Sequence, residues 1–230
     1  MKNEPPIHGQ LVEDLRVKLA RSVPTLIFDV GANIGQSALA FAQAFPRARV
    51  VSFEPVRQTF ARLRHNVAGV ASISCENIAL GSVQGEAGMV LAKRLEMSRL
   101  IGAGEDVGGA SVETVRVDTL DGYCRQHGIE KISLLKIDAE GHDLEVLRGA
   151  QTLLARGCID VIQVEASMNR DNTRHVGFGA FQEFMEARGY RLFHIYEQVA
   201  EWTRSEPQLR RANLVYISAA VIAANRGGNP

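Results

Sequence analysis

The chain predicts a doubly wound α/β fold around a mostly parallel sheet. Continuous apolar runs such as Thr25 to Val30 read as central strands covered on both faces. Each is followed by a tight or acidic turn and then by a stretch with helical spacing. Strands and helices alternating at this interval imply right-handed crossovers.

From Leu11 to Ala20 apolar residues recur at helical spacing, giving an N-terminal helix at about 9–21 that ends before Pro24. After the first strand, Gly31 to Gly35 forms a turn and Gln36 to Ala44 a helix stopped by Pro46. Arg49 to Phe53 is a second strand, Val56 to Asn66 a helix, and Ile73 to Leu80 a third strand. Two further strands, Ile132 to Asp138 and Asp160 to Glu165, flank a helix from about His142 to Ala155. Residues 81–118 read as a β-hairpin insertion whose Gly-rich tip, Gly102 to Gly109, could hinge a lid or be a solvated turn. The C-terminal part runs helix (Ala180 to Arg188), strand (Tyr190 to Tyr196) and strand (Asn213 to Ser218), the last two an antiparallel pair at the sheet edge.

Length and composition suit one domain spanning 1–230: 46% of residues are hydrophobic and 23% charged. Lys plus Arg and Asp plus Glu both number 26, so no global field recruits nucleic acid or a membrane. Cys75, Cys124 and Cys158 form no CxxC pair and read as free thiols. The start, Met-Lys-Asn-Glu-Pro-Pro, has no apolar core for a secretory signal, and the apolar stretch 214–224 is too short to cross a bilayer. A cytoplasmic protein is expected.

Ligands of such sheets bind outside the carboxyl ends of the strands, where strand order reverses. The first strand ends in Phe28-Asp29-Val30-Gly31-Ala32-Asn33-Ile34-Gly35. The second ends in Glu54, at about the ~20-residue interval from which a carboxylate reaches a ribose diol. A dinucleotide loop needs a glycine where Asn33 stands, and Asp29, placed at the lip, would repel phosphate. The same carboxylate would attract the ammonium or sulfonium of S-adenosylmethionine. A plain strand-to-helix turn, with Glu54 a neighbour of a helix N-cap, is the bland alternative.

These residues resemble the FkbM family of S-adenosylmethionine-dependent methyltransferases. Further matching pieces are Phe53-Glu54-Pro55, Asn77-Ile78-Ala79-Leu80, Asp118-Thr119-Leu120-Asp121, Leu135-Lys136-Ile137-Asp138-Ala139-Glu140-Gly141, Leu147-Arg148-Gly149-Ala150 and Val164-Glu165, in order over roughly 25–190. The resemblance implies a Rossmann-like class I methyltransferase fold and transfer of a methyl group to a hydroxyl of a sugar, glycan or secondary metabolite. It also implies that Asp29, Gly31, Ala32, Asn33 and Gly35 surround the methionine part, Glu54 the ribose, and Asn77 and Ile78 the adenine.

Alternation along the fourth strand puts Lys136, Asp138 and, if it extends, Glu140 on one side, and Gln163 and Glu165 share a face of the next. Neighbouring strands would gather Lys136, Asp138 and Glu165 into a polar cluster, with Lys136 paired to a carboxylate. Asp138 is expected to contact cofactor or acceptor. His142 is a candidate general base, its alternative being an exposed first-turn histidine. His175 and His194 default to surface or structural roles. No metal site is expected; the alternative is Mg²⁺ held by Asp138, Glu165 and Asn169. Phe178, Phe181 and Phe184 read as a helix's core face. Competing functions are an NAD-binding oxidoreductase, disfavoured by Asn33 and Asp29, N-methylation, which lacks an Asn-Pro-Pro-Tyr-type motif, and a non-catalytic cofactor-binding subunit.

Overall fold

The computed structural model describes residues 8–92, 98–101, 106–201 and 206–226. In chain order the strands are β1 (Leu26–Val30), β2 (Arg49–Phe53), β3 (Ile73–Glu76), β4 (Ala79–Leu80), β5 (Gly85–Val90), β6 (Arg99–Leu100), β7 (Val112–Asp118), β8 (Ile132–Ile137), β9 (Ile159–Ser167), β10 (Arg191–Ala200) and β11 (Leu209–Ile217). The helices are α1 (Gly9–Val17), α2 (Gln36–Ala44), α3 (Arg57–Val67), α4 (Leu120–Gln126), α5 (Asp143–Arg148), α6 (Gln151–Ala155), α7 (Phe178–Glu186) and α8 (Ala219–Asn225).

Seven strands form one sheet in the order β10-β11-β9-β8-β1-β2-β3. β3, β2, β1, β8 and β9 run parallel, and β11 is antiparallel to both neighbours. The predicted class I arrangement is therefore present, and strand order reverses between β1 and β8. Side chains alternate across this sheet. Phe28, Leu135, Ile162 and Tyr216 pack on one face with Tyr123, Val146, Leu154 and Phe181. Ile27, Leu134, Val161 and Val215 pack on the other with Leu11, Leu15 and Phe41. Phe181 is the fully buried member of the α7 stripe, with Phe178 and Phe184 against the same core.

Several boundaries differ from the sequence expectation. Ile73 to Leu80 is two strands: β3 closes the main sheet, whereas β4 pairs with β7 in a second sheet ordered β4-β7-β5-β6. The break falls at Asn77, whose amide donates to the carbonyls of Glu54 (2.8 Å) and Pro55 (2.9 Å). The antiparallel β5–β7 pair is the expected hairpin of the insertion. Gly108 and Gly109 are exposed in a turn, while Gly102 and Gly104 lie outside the described residues. The helix expected from His142 to Ala155 divides at Gly149. There, a Cβ would sit 2.1 Å from the Gly81 carbonyl, so the chain bends to let two backbones touch.

Two helices went unanticipated. α4 begins with Thr119 as N-cap, and Asp121 accepts from the amides of Thr152 (2.7 Å) and Leu153 (3.1 Å) at the start of α6. α8 takes up the apolar residues beyond β11 after a Ser218 cap. Of the two C-terminal strands only β10 lies at an edge, since β11 sits inside the sheet. Among the described residues no helix is long and apolar enough to cross a membrane.

Candidate active site

A polar row crosses the covered middle of the sheet. Ser52, Asp29, Lys136 and Gln163 are adjacent in register on β2, β1, β8 and β9. Alternation puts Asp29 on the α2 side with Ile27, while Phe28 and Val30 enter the other core. Lys136 Nζ lies 3.1 Å from Asp29 and 3.6 Å from Asp138, and also donates to the Gly31 carbonyl at 3.4 Å. Burial works against the ammonium, yet Asp29 and Asp138 outweigh it and lift its pKa above the ordinary lysine value. The expected carboxylate partner of Lys136 is thus two carboxylates.

This pairing corrects the sequence picture of Asp29. The residue is wholly buried and is not among the residues lining the two cavities over the glycine loop; Lys136 stands beside it and meets its charge.

That loop is shaped by close approach. Gly31 has φ 73°, and a Cβ on it would fall 1.9 Å from the Asp138 carbonyl oxygen. Only glycine lets β1 and β8 close together here. Asn33 follows with φ 50°, a left-handed conformation that asparagine tolerates better than most residues. Its amide donates to Glu54 Oε2 (3.0 Å), and the Val56 amide donates to Glu54 Oε1 (2.9 Å). Burial outweighs these two bonds and pushes the Glu54 carboxyl up to about 7. Ala32 is buried with Leu63 and Val67, and Gly35 abuts the same two side chains below the turn.

Two cavities meet over this loop. The first is lined by Val30, Glu54, Val56, Ile78, Leu80 and Met89, among others, with His142 at its rim. The second is polar, bounded by Gln36, Lys136, Gln163, Glu165, Arg211 and Asn213, among others, with Ala32 at the loop. Gly31, Asn33 and Asp138 belong to both. Asp138 keeps 44% of its side chain accessible because it opens between them. The protein around the cavities still desolvates the carboxylate, and this, opposed by Lys136 and reinforced by Glu165 and Asp29, raises its pKa. Of the residues expected to hold cofactor, Gly31, Ala32, Asn33, Glu54, Ile78 and Asp138 line these cavities. Asp29, Gly35 and Asn77 do not line either of them.

β8 ends at Ile137, and Glu140 does not extend it. Glu140 has φ 51°, and a Cβ on Gly141 would lie 2.1 Å from the Arg174 carbonyl, so the chain folds back against residues 173–175. Glu140 receives Arg174 Nε at 2.7 Å. His142 is the N-cap position of α5, and its ring finds no hydrogen-bond partner among the described residues. Burial lowers its pKa, so the imidazole is neutral near pH 7. Asp143, just beyond, accepts from the amides of Ala139 (3.3 Å) and Glu165 (3.4 Å), and burial pushes its carboxyl up to about 7.

Glu165 is bound on both sides. His175 Nε2 lies 2.6 Å from one oxygen and Arg211 pairs with the other; burial opposes its charge, but these neighbours hold its pKa below the ordinary value. Asn169 donates to the Leu209 carbonyl (2.7 Å) and to Glu201 (3.4 Å), so its side chain is turned away from Glu165 and Asp138. No group of three His, Cys, Asp or Glu suited to a metal ion exists among the described residues.

Sequence reasoning missed His8, Glu197, Arg211 and Asn213 at the polar cavity, and His175 behind it on Glu165. Because β11 is antiparallel, its first residues lie beside the carboxyl end of β9, with Asn213 opposite Glu165 and Arg211 opposite Ser167. The alternation Arg211, Asn213 carried that signal. His8 stacks on Phe41 and bonds Ser37 (2.9 Å), and no local pattern foretells this. His194 stacks on Tyr196, away from the site.

A family model described as the methyltransferase FkbM domain matches residues 29–192, the stretch that contains the glycine loop, Glu54, Asp138 and His142. The chain belongs to the FkbM methyltransferase family. This FkbM-family chain is 28% identical over 166 residues to the 2-O-methyltransferase NoeI of Sinorhizobium fredii, covering 65% of each protein. It is 31% identical over 159 residues to the 31-O-demethyl-FK506 methyltransferase FkbM of Streptomyces tacrolimicus, covering 55% of this chain and 59% of that one. The chain thus spans less than two thirds of these relatives' length. Its fold matches an rRNA methylase from Streptococcus thermophilus at TM-score 0.51 and 11% identity, over 95% of this chain and 98% of the other.

Proposed function

We propose that this FkbM-family protein transfers a methyl group to a hydroxyl oxygen of a sugar, glycan or secondary metabolite, with His142 taking the hydroxyl proton. The observation that carries this is His142 itself: a neutral ring without a hydrogen-bond partner among the described residues, at the mouth of the first cavity beside Asp138 and Glu140. The similarity to NoeI, a 2-O-methyltransferase, supports oxygen as the accepting atom.

The residues fit the cofactor. Val56, Ile78, Leu80 and Met89 offer apolar walls to an adenine, and the Glu54 carboxylate lies where a ribose diol would reach it. The polar cavity presents Arg211 and Lys136 for a carboxylate, and Glu165, Glu197 and Asp138 for an ammonium. The absence of a Cβ on Gly31 brings the loop close to the point where the cavities join. S-adenosylmethionine supplies an electrophilic methyl group on a positively charged sulfur.

The chain's own residues then have three tasks. Asp138 holds negative charge at the junction, balanced by Lys136. Glu165, fixed by His175 and Arg211, shapes the polar end. His142 accepts the proton that the acceptor hydroxyl must lose, and alignment of that hydroxyl supplies much of the rate. Lys136 and Glu165 act as positioning residues, since buried or ionic partners occupy both.

The test is transfer of labelled methyl from S-adenosylmethionine to a panel of hydroxylated acceptors, with product analysis and a His142→Gln variant. The proposal expects an O-methyl product, and a loss of about 10²–10⁴ in kcat with S-adenosylhomocysteine affinity retained. Methyl found on nitrogen, or full activity in the variant, would sink it.

A further inference from the structure

The polar cavity is closed on one side by residues outside 29–192, the stretch that the family model matches. His8 stands immediately before α1, Glu197 on β10, and Arg211 and Asn213 on β11. We propose that α1 and β10 form a clasp over the amino-acid end of the methyl donor, in which Glu197 receives the ammonium and His8 positions Glu197. The inference rests on S-adenosylmethionine as the donor and narrows the carboxylates of this cavity to one.

Three observations carry it. First, those carboxylates are not equivalent. Asp138 faces Lys136, and Glu165 is held between Arg211 and His175. Glu197 has no Lys or Arg within ion-pair distance among the described residues. It accepts from the Asn213 side-chain amide (2.7 Å), and His8 Nδ1 lies 3.3 Å away. The His8 side chain, opposed by burial, holds its carboxyl below the ordinary value, and the side chain stays 45% exposed. A ligand can therefore reach an ionised carboxylate there.

Second, backbone strain gathers at this cavity. Among the described residues four besides glycines are left-handed, and three of them line it: His8 (φ 55°), Asn33 (φ 50°) and Glu197 (φ 47°). Such conformations are costly and cluster at ligand clamps. Tyr196 pairs with Asn213 and Val199 with Arg211, so Glu197 and Gln198 oppose Ala212 alone in a β-bulge. Regular alternation would send Glu197 to the face opposite Tyr196; the bulge brings it back within reach of Asn213. On the other side His8 stacks on Phe41 and bonds Ser37, and Asp14 of α1 accepts from Tyr196 (2.7 Å). Helix α1 is thereby tied to both α2 and β10.

Third, a buried acceptor is left over. Gln163 lines the cavity at 2% exposure, and its Oε1 has no hydrogen-bond partner among the described residues. Buried carbonyl oxygens are almost always bonded, so this one points to a ligand bearing N–H groups. An ammonium is such a ligand.

The experiment titrates the full chain by calorimetry with S-adenosylhomocysteine and with methylthioadenosine, which lacks the amino acid. Glu197→Gln should weaken S-adenosylhomocysteine about tenfold or more and leave methylthioadenosine within about twofold. His8→Asn tolerates the left-handed backbone but is too short to hold Glu197, and should weaken S-adenosylhomocysteine selectively, by about threefold or more. A merely structural role would weaken both ligands alike. By reciprocity, S-adenosylhomocysteine should slow hydrogen exchange in residues 9–17, and methylthioadenosine should not. Full S-adenosylhomocysteine affinity in either variant, equal losses of both ligands, or exchange in α1 indifferent to S-adenosylhomocysteine overturns the inference. Failure of the unaltered chain to bind either ligand would strike the donor reading beneath it, and the inference with it.

Discussion

Replacing Gly31 by alanine tests how the β1–β8 junction is built. The added Cβ would lie 1.9 Å from the Asp138 oxygen and 2.8 Å from its carbonyl carbon. Neither backbone can retreat easily: the Gly31 amide donates to the Phe53 carbonyl (3.0 Å), and the Asp138 amide donates to the Val30 carbonyl (3.0 Å). Relief must part β1 from β8 by about 1 Å or more, sacrificing a hydrogen bond worth about 1 kcal/mol. Forcing the strands apart adds about 1–3 kcal/mol, and the left-handed backbone at φ 73° adds about 1–2 kcal/mol for alanine. The expected loss is about 3–6 kcal/mol. Gly128→Ala is the matched control. Its φ is 63° but nothing lies within 4 Å of its Cβ, so it carries the conformational cost alone. Urea unfolding of the two variants should therefore differ by about 2–4 kcal/mol. Gly31→Ala should also weaken S-adenosylhomocysteine at least tenfold, because the displaced loop carries Asn33. Equal unfolding midpoints for the two variants would refute the close-approach argument.

Other predictions address charge. Lys136→Met leaves Asp29 buried without its counter-ion and should cost about 3–5 kcal/mol, read by chemical denaturation, whereas a variant as stable as the parent would contradict the ion-pair account. Glu54 sits at about 7 in the fold against an ordinary 4.5, so between those values the native state holds a proton that the unfolded chain has lost. Stability contributed by this group is present below pH 4.5 and is lost as pH rises through 7. Relative to the parent, Glu54→Gln should gain about 3 kcal/mol between pH 4.5 and 8, and a pH-independent difference would count against it. The ionised carboxylate is also the better acceptor for ribose hydroxyls, so S-adenosylhomocysteine should bind more tightly as pH rises through 7, and Glu54→Gln should flatten that trend in calorimetry. For His142, turnover should fall on acidification only below about 6.5, since burial lowers its pKa; an acid limb above neutrality would point to another base.

Much of the frame was legible because one-dimensional patterns encode it. Thr25 to Val30 had to be a covered strand, and the helix 36–44 lay between a glycine turn and Pro46. The polar cluster followed from alternation on two strands that prove to be neighbours in register. What escaped were features fixed by contacts between distant segments. The break at Asn77 depends on carbonyls of Glu54 and Pro55, and that at Gly149 on the Gly81 backbone. Asp118-Thr119-Leu120-Asp121 carried only a family resemblance, and its structural part, Thr119 and Asp121 capping helices, depends on segments distant in sequence. His175 reaches Glu165 only because residues 173–175 fold against Gly141. Position at the end of the first strand suggests that Asp29 reaches the lip, but strand alternation turns it inward toward Lys136.

The most direct test of the central claim is calorimetric titration of the purified protein with S-adenosylmethionine, S-adenosylhomocysteine and NAD in parallel. The cavities over Gly31, Glu54 and Asp138 predict binding of both adenosyl ligands, abolished or strongly weakened by Gly31→Ala, and no heat from NAD. Binding of NAD alone, or adenosyl affinity indifferent to Gly31, would contradict the site described above.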